Sequence, residues 1–136
     1  MNFKKAHLTL TYIRRSFWKL DYRYRFPEKK FIIYGSGRSG STLLTSMLNT
    51  HSDIYCDAEI LAKKYAPNVI FPNLYISSIS KKASHRRKKN YGCGLMSTHL
   101  REQKFLDKKS FLENLSRDWR IFISEEIISS KWCFRY

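Results

Sequence analysis

At 136 residues the chain has the size of one domain, large enough to bury a core without disulfides or metal. A composition that is 43% hydrophobic and 15% aromatic argues against disorder, and no window approaches the ~20 apolar residues of a membrane span. The net charge of +15 favours anionic partners, whether nucleotides, sulfated or phosphorylated compounds, nucleic acid or an acidic membrane surface, without choosing among them.

Residues 1–26 read as a basic, aromatic N-terminal extension carrying Arg14, Arg15, Trp18, Arg23 and Arg25. The spacing of Ile13, Phe17 and Leu20 predicts a short amphipathic helix packed on the domain. Two lysines precede a mildly apolar stretch, but it is too short and too polar for a signal peptide, so a soluble, cytoplasmic protein is expected. After Pro27, the apolar run Phe31–Tyr34 predicts a strand buried on both faces. A helix is predicted from Ser41 to Asn49, with Leu43, Leu44, Met47 and Leu48 as its inward stripe. Ile54 to Cys56 suits a second short strand. Tyr65–Ser80, which contains Pro67 and Pro72, reads as irregular, and the charge run Lys81–Lys89 as a solvated loop. Tyr91–Met96 predicts a strand weakened by Gly92 and Gly94. Lys108–Ser116 predicts a helix burying Phe111, Leu112 and Leu115, and Trp119–Ile123 a further strand. Alternating strands and helices imply an α/β fold, a parallel sheet with flanking helices over residues 27–136. Cys56, Cys93 and Cys133 form no disulfide framework and show no metal-ligand spacing, so a reducing compartment and no metal are expected.

Three of the five glycines fall within Gly35-Ser36-Gly37-Arg38-Ser39-Gly40, between the first strand and the helix that opens with Ser41 and Thr42. Glycines let backbone N–H groups approach an anion, and the helix start adds unpaired donors and a positive dipole end. Arg38, Ser39, Ser41 and Thr42 supply further donors. A turn that binds nothing leaves the arginine and the hydroxyls unexplained. The spacing of Gly35, Gly37 and Gly40 fits the dinucleotide fingerprint, with Asp57 near the distance of about 20 residues expected of a ribose-binding acid. It also approaches the P-loop pattern, except that Ser41 stands where that pattern has its lysine.

The stretch Gly37-Arg38-Ser39-Gly40-Ser41-Thr42-Leu43-Leu44 resembles the 5′-phosphosulfate-binding loop of the sulfotransferase family, especially its carbohydrate and bacterial branches. That resemblance implies a P-loop-type domain and 3′-phosphoadenosine 5′-phosphosulfate (PAPS) as sulfuryl donor. It implies cofactor binding by Gly35, Gly37, Arg38, Ser39, Gly40, Ser41 and Thr42, and a carbohydrate or other small-molecule acceptor bearing a hydroxyl or amine. Arg38 would neutralise charge on the leaving oxygen. The stretch Asp57-Ala58-Glu59-Ile60-Leu61 resembles the segment in which some members carry a general base, which implies that role for Glu59. Tyr91–Ile123 resembles the family's next strand, helix and strand. The family's 3′-phosphate site has an arginine after that strand, whereas Ser124-Glu125-Glu126 follows here, and Arg117 and Arg120 lie before or within the strand. The chain is about half the usual family length, as expected of an N-terminal fragment or truncated member, and loss of activity through truncation is one implied reading.

Two alternatives remain at this stage. One is an NAD(P)- or nucleotide-binding module anchored on the three loop glycines and Asp57. The other is a non-enzymatic binder of nucleic acid acting through residues 14–30 and 81–89. His51 is expected to cap or pack near the loop, His99 to be an ordinary loop residue, and His7 and His85 carry no specific signal.

Overall fold

The computed structural model describes residues 22–37, 39–66, 69–104 and 106–123. Strand β1 (Lys29–Gly35) grows from the apolar run after Pro27, with Ile32 and Ile33 both fully buried. It leads into α1 (Ser41–Asn49) and then β2 (Ile54–Asp57). Two helices follow, α2 (Pro72–Ser80) and α3 (Lys82–His85), then β3 (Asn90–Met96). Helices α4 (Ser97–Glu102) and α5 (Lys108–Asp118) precede β4 (Arg120–Ile123).

The strands form an all-parallel sheet in the order β2-β3-β1-β4. The register pairs Ile32 with both Cys93 and Ile121, and Tyr55 with Tyr91. Side chains alternate across a strand, so Ile32, Tyr34, Tyr91, Cys93 and Leu95 share one face, and that face joins the core with Ile76, Ile79, Leu100, Phe111 and Leu115. The path from β1 to β2 crosses the sheet one way, and the paths from β2 to β3 and from β3 to β4 cross it the other way. Right-handed crossovers therefore put α1 on one face and α2 to α5 on the other.

On the α1 face, packing follows the predicted stripe only in part, with Leu44 and Leu48 half-buried. Ser41 and Thr45 are buried, whereas Leu43 and Met47 are 68% and 60% exposed. Small residues bring the helix close to β2. Thr45 Oγ1 turns back to the Ser41 carbonyl at 2.8 Å, and Asn49 grips the edge strand, its Nδ2 donating to the Cys56 carbonyl and its Oδ1 accepting from the Cys56 N–H, both at 2.7 Å. A polar clamp on an edge strand decides the rotation of this helix against its leucine pattern.

Three other expectations are corrected. Residues 72–80 are helical, because Pro72 stands in the first turn, where its fixed φ and missing N–H suit a helix. Tyr75, Ile76 and Ile79 then reach the core. The run Lys81–Lys89 is not a solvated loop at its start. Lys81 is 4% exposed, with its Nζ 4.8 Å from the Phe26 ring centroid, and Lys82 opens α3. Predicted His99 likewise lies on a helix, α4. Residues 1–21, with the predicted amphipathic helix, and 124–136, with Cys133 and the acidic segment, lie outside the described residues. Of the predicted extension's last residues, Arg25 N–H donates to Ser84 Oγ at 3.2 Å, and Glu28 N–H, just beyond it, donates to the Lys89 carbonyl at 2.8 Å. Among the described residues no helix is long and apolar enough to cross a membrane.

Gln103 staples the segment between β2 and α2. Its Nε2 donates to the Leu61 and Ala66 carbonyls and its Oε1 accepts from the Val69 N–H, each at 2.9 Å, with the residue 4% exposed. Gln103→Ala leaves three buried backbone groups without a partner and is expected to cost about 2–4 kcal/mol. Urea unfolding checks the magnitude, and faster hydrogen exchange at the Val69 amide checks the cause.

Candidate functional site

All four strands end at the same edge of the sheet, and the glycine loop leaves that edge from β1, which lies inside the sheet between β3 and β4. Such crevices, beyond strand carboxyl ends where the chain direction switches, are where open α/β sheets bind ligands. Gly40 occupies the N-cap of α1 with φ 73° and ψ 6°, in the left-handed region that favours glycine. No side chain caps this helix, and the first intrahelical bond runs from Leu44 N–H to the Gly40 carbonyl at 3.0 Å. The N–H groups of Ser41, Thr42 and Leu43 are thus helix-start donors without a capping acceptor. Ser39 Oγ is buried and has no hydrogen-bond partner among the described residues. Gly37 is exposed, and a Cβ there would meet nothing within 4 Å, so neither packing nor φ demands its glycine.

Of the two hydroxyls that open α1, Ser41 turns to the sheet at 8% exposure and Thr42 faces outward. Arg38 lies outside the described residues.

Thr42 also lines a cavity of about 460 Å³ at the same edge of the sheet. Its floor is the Asp57–Lys82 pair, with Lys82 Nζ 2.9 Å and 3.2 Å from the two carboxylate oxygens. Tyr91 donates its hydroxyl to Asp57 Oδ2 at 2.7 Å, and Tyr55 to Oδ1 at 3.2 Å. Burial, reinforced by the Asp57 charge, pushes the Tyr91 phenol well up, and the same causes in the same order raise Tyr55. Both phenols therefore stay protonated as donors. Ile60, Tyr75 and Ile79 supply the apolar wall.

Glu59 reaches this cavity from a tight turn. Its φ is 40°, and the turn rests on the bare backbone of Gly94, where a Cβ would come within 3.3 Å of the Glu59 nitrogen. The glycine that weakens β3 by propensity is what admits this close approach. Lys64 Nζ lies 3.7 Å from Glu59 Oε2 and 4.6 Å from the Tyr65 ring centroid. A hydrogen bond with Tyr65, ahead of the Glu59 contribution, raises the Lys64 ammonium.

The structure thus brings Thr42, Glu59 and Asp57 to one cavity beside the glycine loop. Lys64, Tyr65 and Lys82 join them although nothing local in the sequence marks them. Lys82 was hidden in a charge run, and its pairing depends on a fold contact 25 residues back. His51 does not join. It precedes β2, at the opposite end of the parallel strands, where its Nδ1 accepts from the Asp53 N–H at 3.1 Å. His99 follows β3 at the loop's end of the sheet, with Nδ1 buried and unpartnered among the described residues. Searches against family models, curated proteins and solved structures return no match for this chain.

Gly40→Ala must hold alanine in the left-handed region and is expected to lose about 1–2 kcal/mol. Gly37→Ala is expected to leave the unfolding midpoint unchanged, so paired denaturation curves distinguish strain from free space. A pH series adds a second check. Burial pushes the Cys56 thiol up to about 12, and Cys93 well up. Both thiols are free and held neutral in the fold. Their contribution is full below the unfolded thiol value of about 8.5 and is lost as pH rises toward the folded values. Stability is therefore expected to fall above pH ~8.5, and to fall less steeply in Cys56→Ala.

Proposed function

We propose that the chain is a PAPS-binding domain of the sulfotransferase type, transferring a sulfuryl group to an acceptor hydroxyl or amine. The observation that carries this reading is the glycine loop itself. It runs from an inner parallel strand straight into an uncapped helix start, with a buried hydroxyl left unpartnered at Ser39. That environment suits a compact, multiply charged oxyanion. The finer fold assignment, a P-loop-type sheet, rests on the same loop together with the strand order.

In this reading the N–H groups of residues 41–43 and the Thr42 hydroxyl hold the phosphosulfate. Arg38 offsets the negative charge that grows on the bridging oxygen as its bond to sulfur breaks. The acceptor occupies the neighbouring cavity, and its oxygen forms the new bond to sulfur while Glu59 takes its proton.

The strand order speaks against the dinucleotide alternative. In a dinucleotide fold the first two strands are neighbours, which sets the acid at the end of the second beside the glycine loop. Here β3 stands between β1 and β2, and Asp57 is occupied by Lys82, Tyr91 and Tyr55.

Calorimetric titration with adenosine 3′,5′-bisphosphate tests the donor site. Saturable binding is expected, weakened about tenfold or more in Arg38→Ala, since a hydrogen bond to a charged group is worth about 1.5–3 kcal/mol. Glu59→Gln is expected to bind the bisphosphate as the parent does and to lose sulfuryl transfer. A folded chain that binds no bisphosphate, or binds it equally well without Arg38, overturns the proposal. Preferential binding of NADP would restore the dinucleotide reading.

A further inference from the structure

A chain carrying +15 invites the expectation of an anionic ligand. The described lining of the cavity beside Thr42 does not share that charge. Among the described residues its ionisable lining consists of two carboxylates, Asp57 and Glu59, and two ammonium groups, Lys64 and Lys82. They are already matched in pairs, Asp57 with Lys82 at 2.9 Å and Glu59 with Lys64 at 3.7 Å.

Asp57 is fully engaged. It receives Lys82 on both oxygens, Tyr91 on one and Tyr55 on the other. With side-chain exposures of 16% and 19%, Asp57 and Lys82 sit where separating the pair would leave a desolvated charge. Among the described lining residues, a ligand bearing net charge finds no free counter-ion and must break one of these pairs to obtain one. Hydroxyl groups face neither difficulty, since they donate to Glu59 and accept from lysine while both pairs stay closed. Ile60, Ile79 and the Tyr65 ring offer apolar surface to the carbon skeleton between such hydroxyls. The volume of about 460 Å³ corresponds to on the order of fifteen waters at about 30 Å³ each, room for a sugar-sized ligand.

We propose that this cavity takes a neutral, hydroxyl-rich ligand, a sugar or polyol without carboxylate, sulfate or amine. Naming that ligand the sulfuryl acceptor rests on the function proposed above. The binding preference itself does not.

The test titrates the full chain with three monosaccharide methyl glycosides, one neutral, one a uronate and one an amino sugar, followed by protein NMR shifts. The neutral glycoside is expected to bind about tenfold more tightly than either charged one. Glu59→Gln leaves Lys64 unmatched and shifts preference to the uronate. Lys64→Gln leaves Glu59 unmatched and shifts it to the amino sugar. Both changed side chains are partly exposed, at 28% and 63%, so both variants are expected to fold, which circular dichroism checks. A parent chain that prefers a charged glycoside, or binds none of the three, overturns the proposal, as does an unchanged order of preference in the variants. Bisphosphate titration of the same samples separates the two readings. Neutral-sugar binding without bisphosphate binding sinks the donor site alone, and bisphosphate binding with a uronate preference sinks the neutral cavity alone.

Discussion

The Asp57 carboxylate ties together parts of the chain that share no local signal. It ends β2, receives the Tyr91 phenol from β3 and the Tyr55 phenol from its own strand, and holds Lys82 at the start of α3. A carboxylate withdrawn from water is tolerated only when its oxygens are well supplied with donors. Here two phenols and an ammonium provide them. Once that supply is in place, α3 is anchored to the carboxyl end of the sheet, and α2, which leads into it, closes over the core through Tyr75, Ile76 and Ile79. The cavity exists because these helices are held at that distance from Thr42.

Backbone close approach shapes the same region. Gly94 lets the Glu59 turn lie directly on β3, and Ile60 N–H reaches the Gly94 carbonyl at 3.4 Å. Two residues earlier, a Cβ on Gly92 would fall inside the Phe31 ring, which packs edge-on against Phe122 at 6.2 Å. Read by propensity, two glycines weaken a strand. In a central strand of this sheet they are the positions where neighbouring groups must come closest. The price in strand propensity is met by the burial of Tyr91, Cys93 and Leu95 between them and beside them.

How much was legible follows from which forces act locally. The strands at Phe31–Tyr34 and Tyr91–Met96, and the helices beginning at Ser41 and Lys108, were readable because apolar periodicity and glycine punctuation are written along the chain. The glycine loop was readable for the same reason. Residues 72–80 of the stretch expected to be irregular were misread because Pro72 was treated as a breaker, although in a first turn proline starts helices. The inward face of α1 was misread in part: Leu44 and Leu48 are half-buried, but the clamp of Asn49 on Cys56 outweighs the burial of Leu43 and Met47. Lys82 was unreadable in principle, since its partner is chosen by tertiary contact. Sequence distance says nothing of such a pair.

The strand order is the other property that no local pattern carries, and it bears most on function. The same six loop residues fit two ligand chemistries when read alone. What separates them is whether the acid after the second strand lies beside the loop. Inserting β3 between β1 and β2 moves Asp57 two strand spacings away, about 10 Å in the hydrogen-bonding direction. That displacement takes the carboxylate out of reach of a ribose held over the loop and into an internal network with lysine and tyrosine. It also opens room between loop and acid, where Thr42 and Glu59 face a shared cavity. A glycine loop on one side and a charge-balanced hollow on the other is the arrangement that the proposed transfer from an anionic donor to a neutral acceptor requires. One change in strand order thus decides which side chains stand beside the glycine loop, and with them the choice between the two ligand chemistries the proposal weighs.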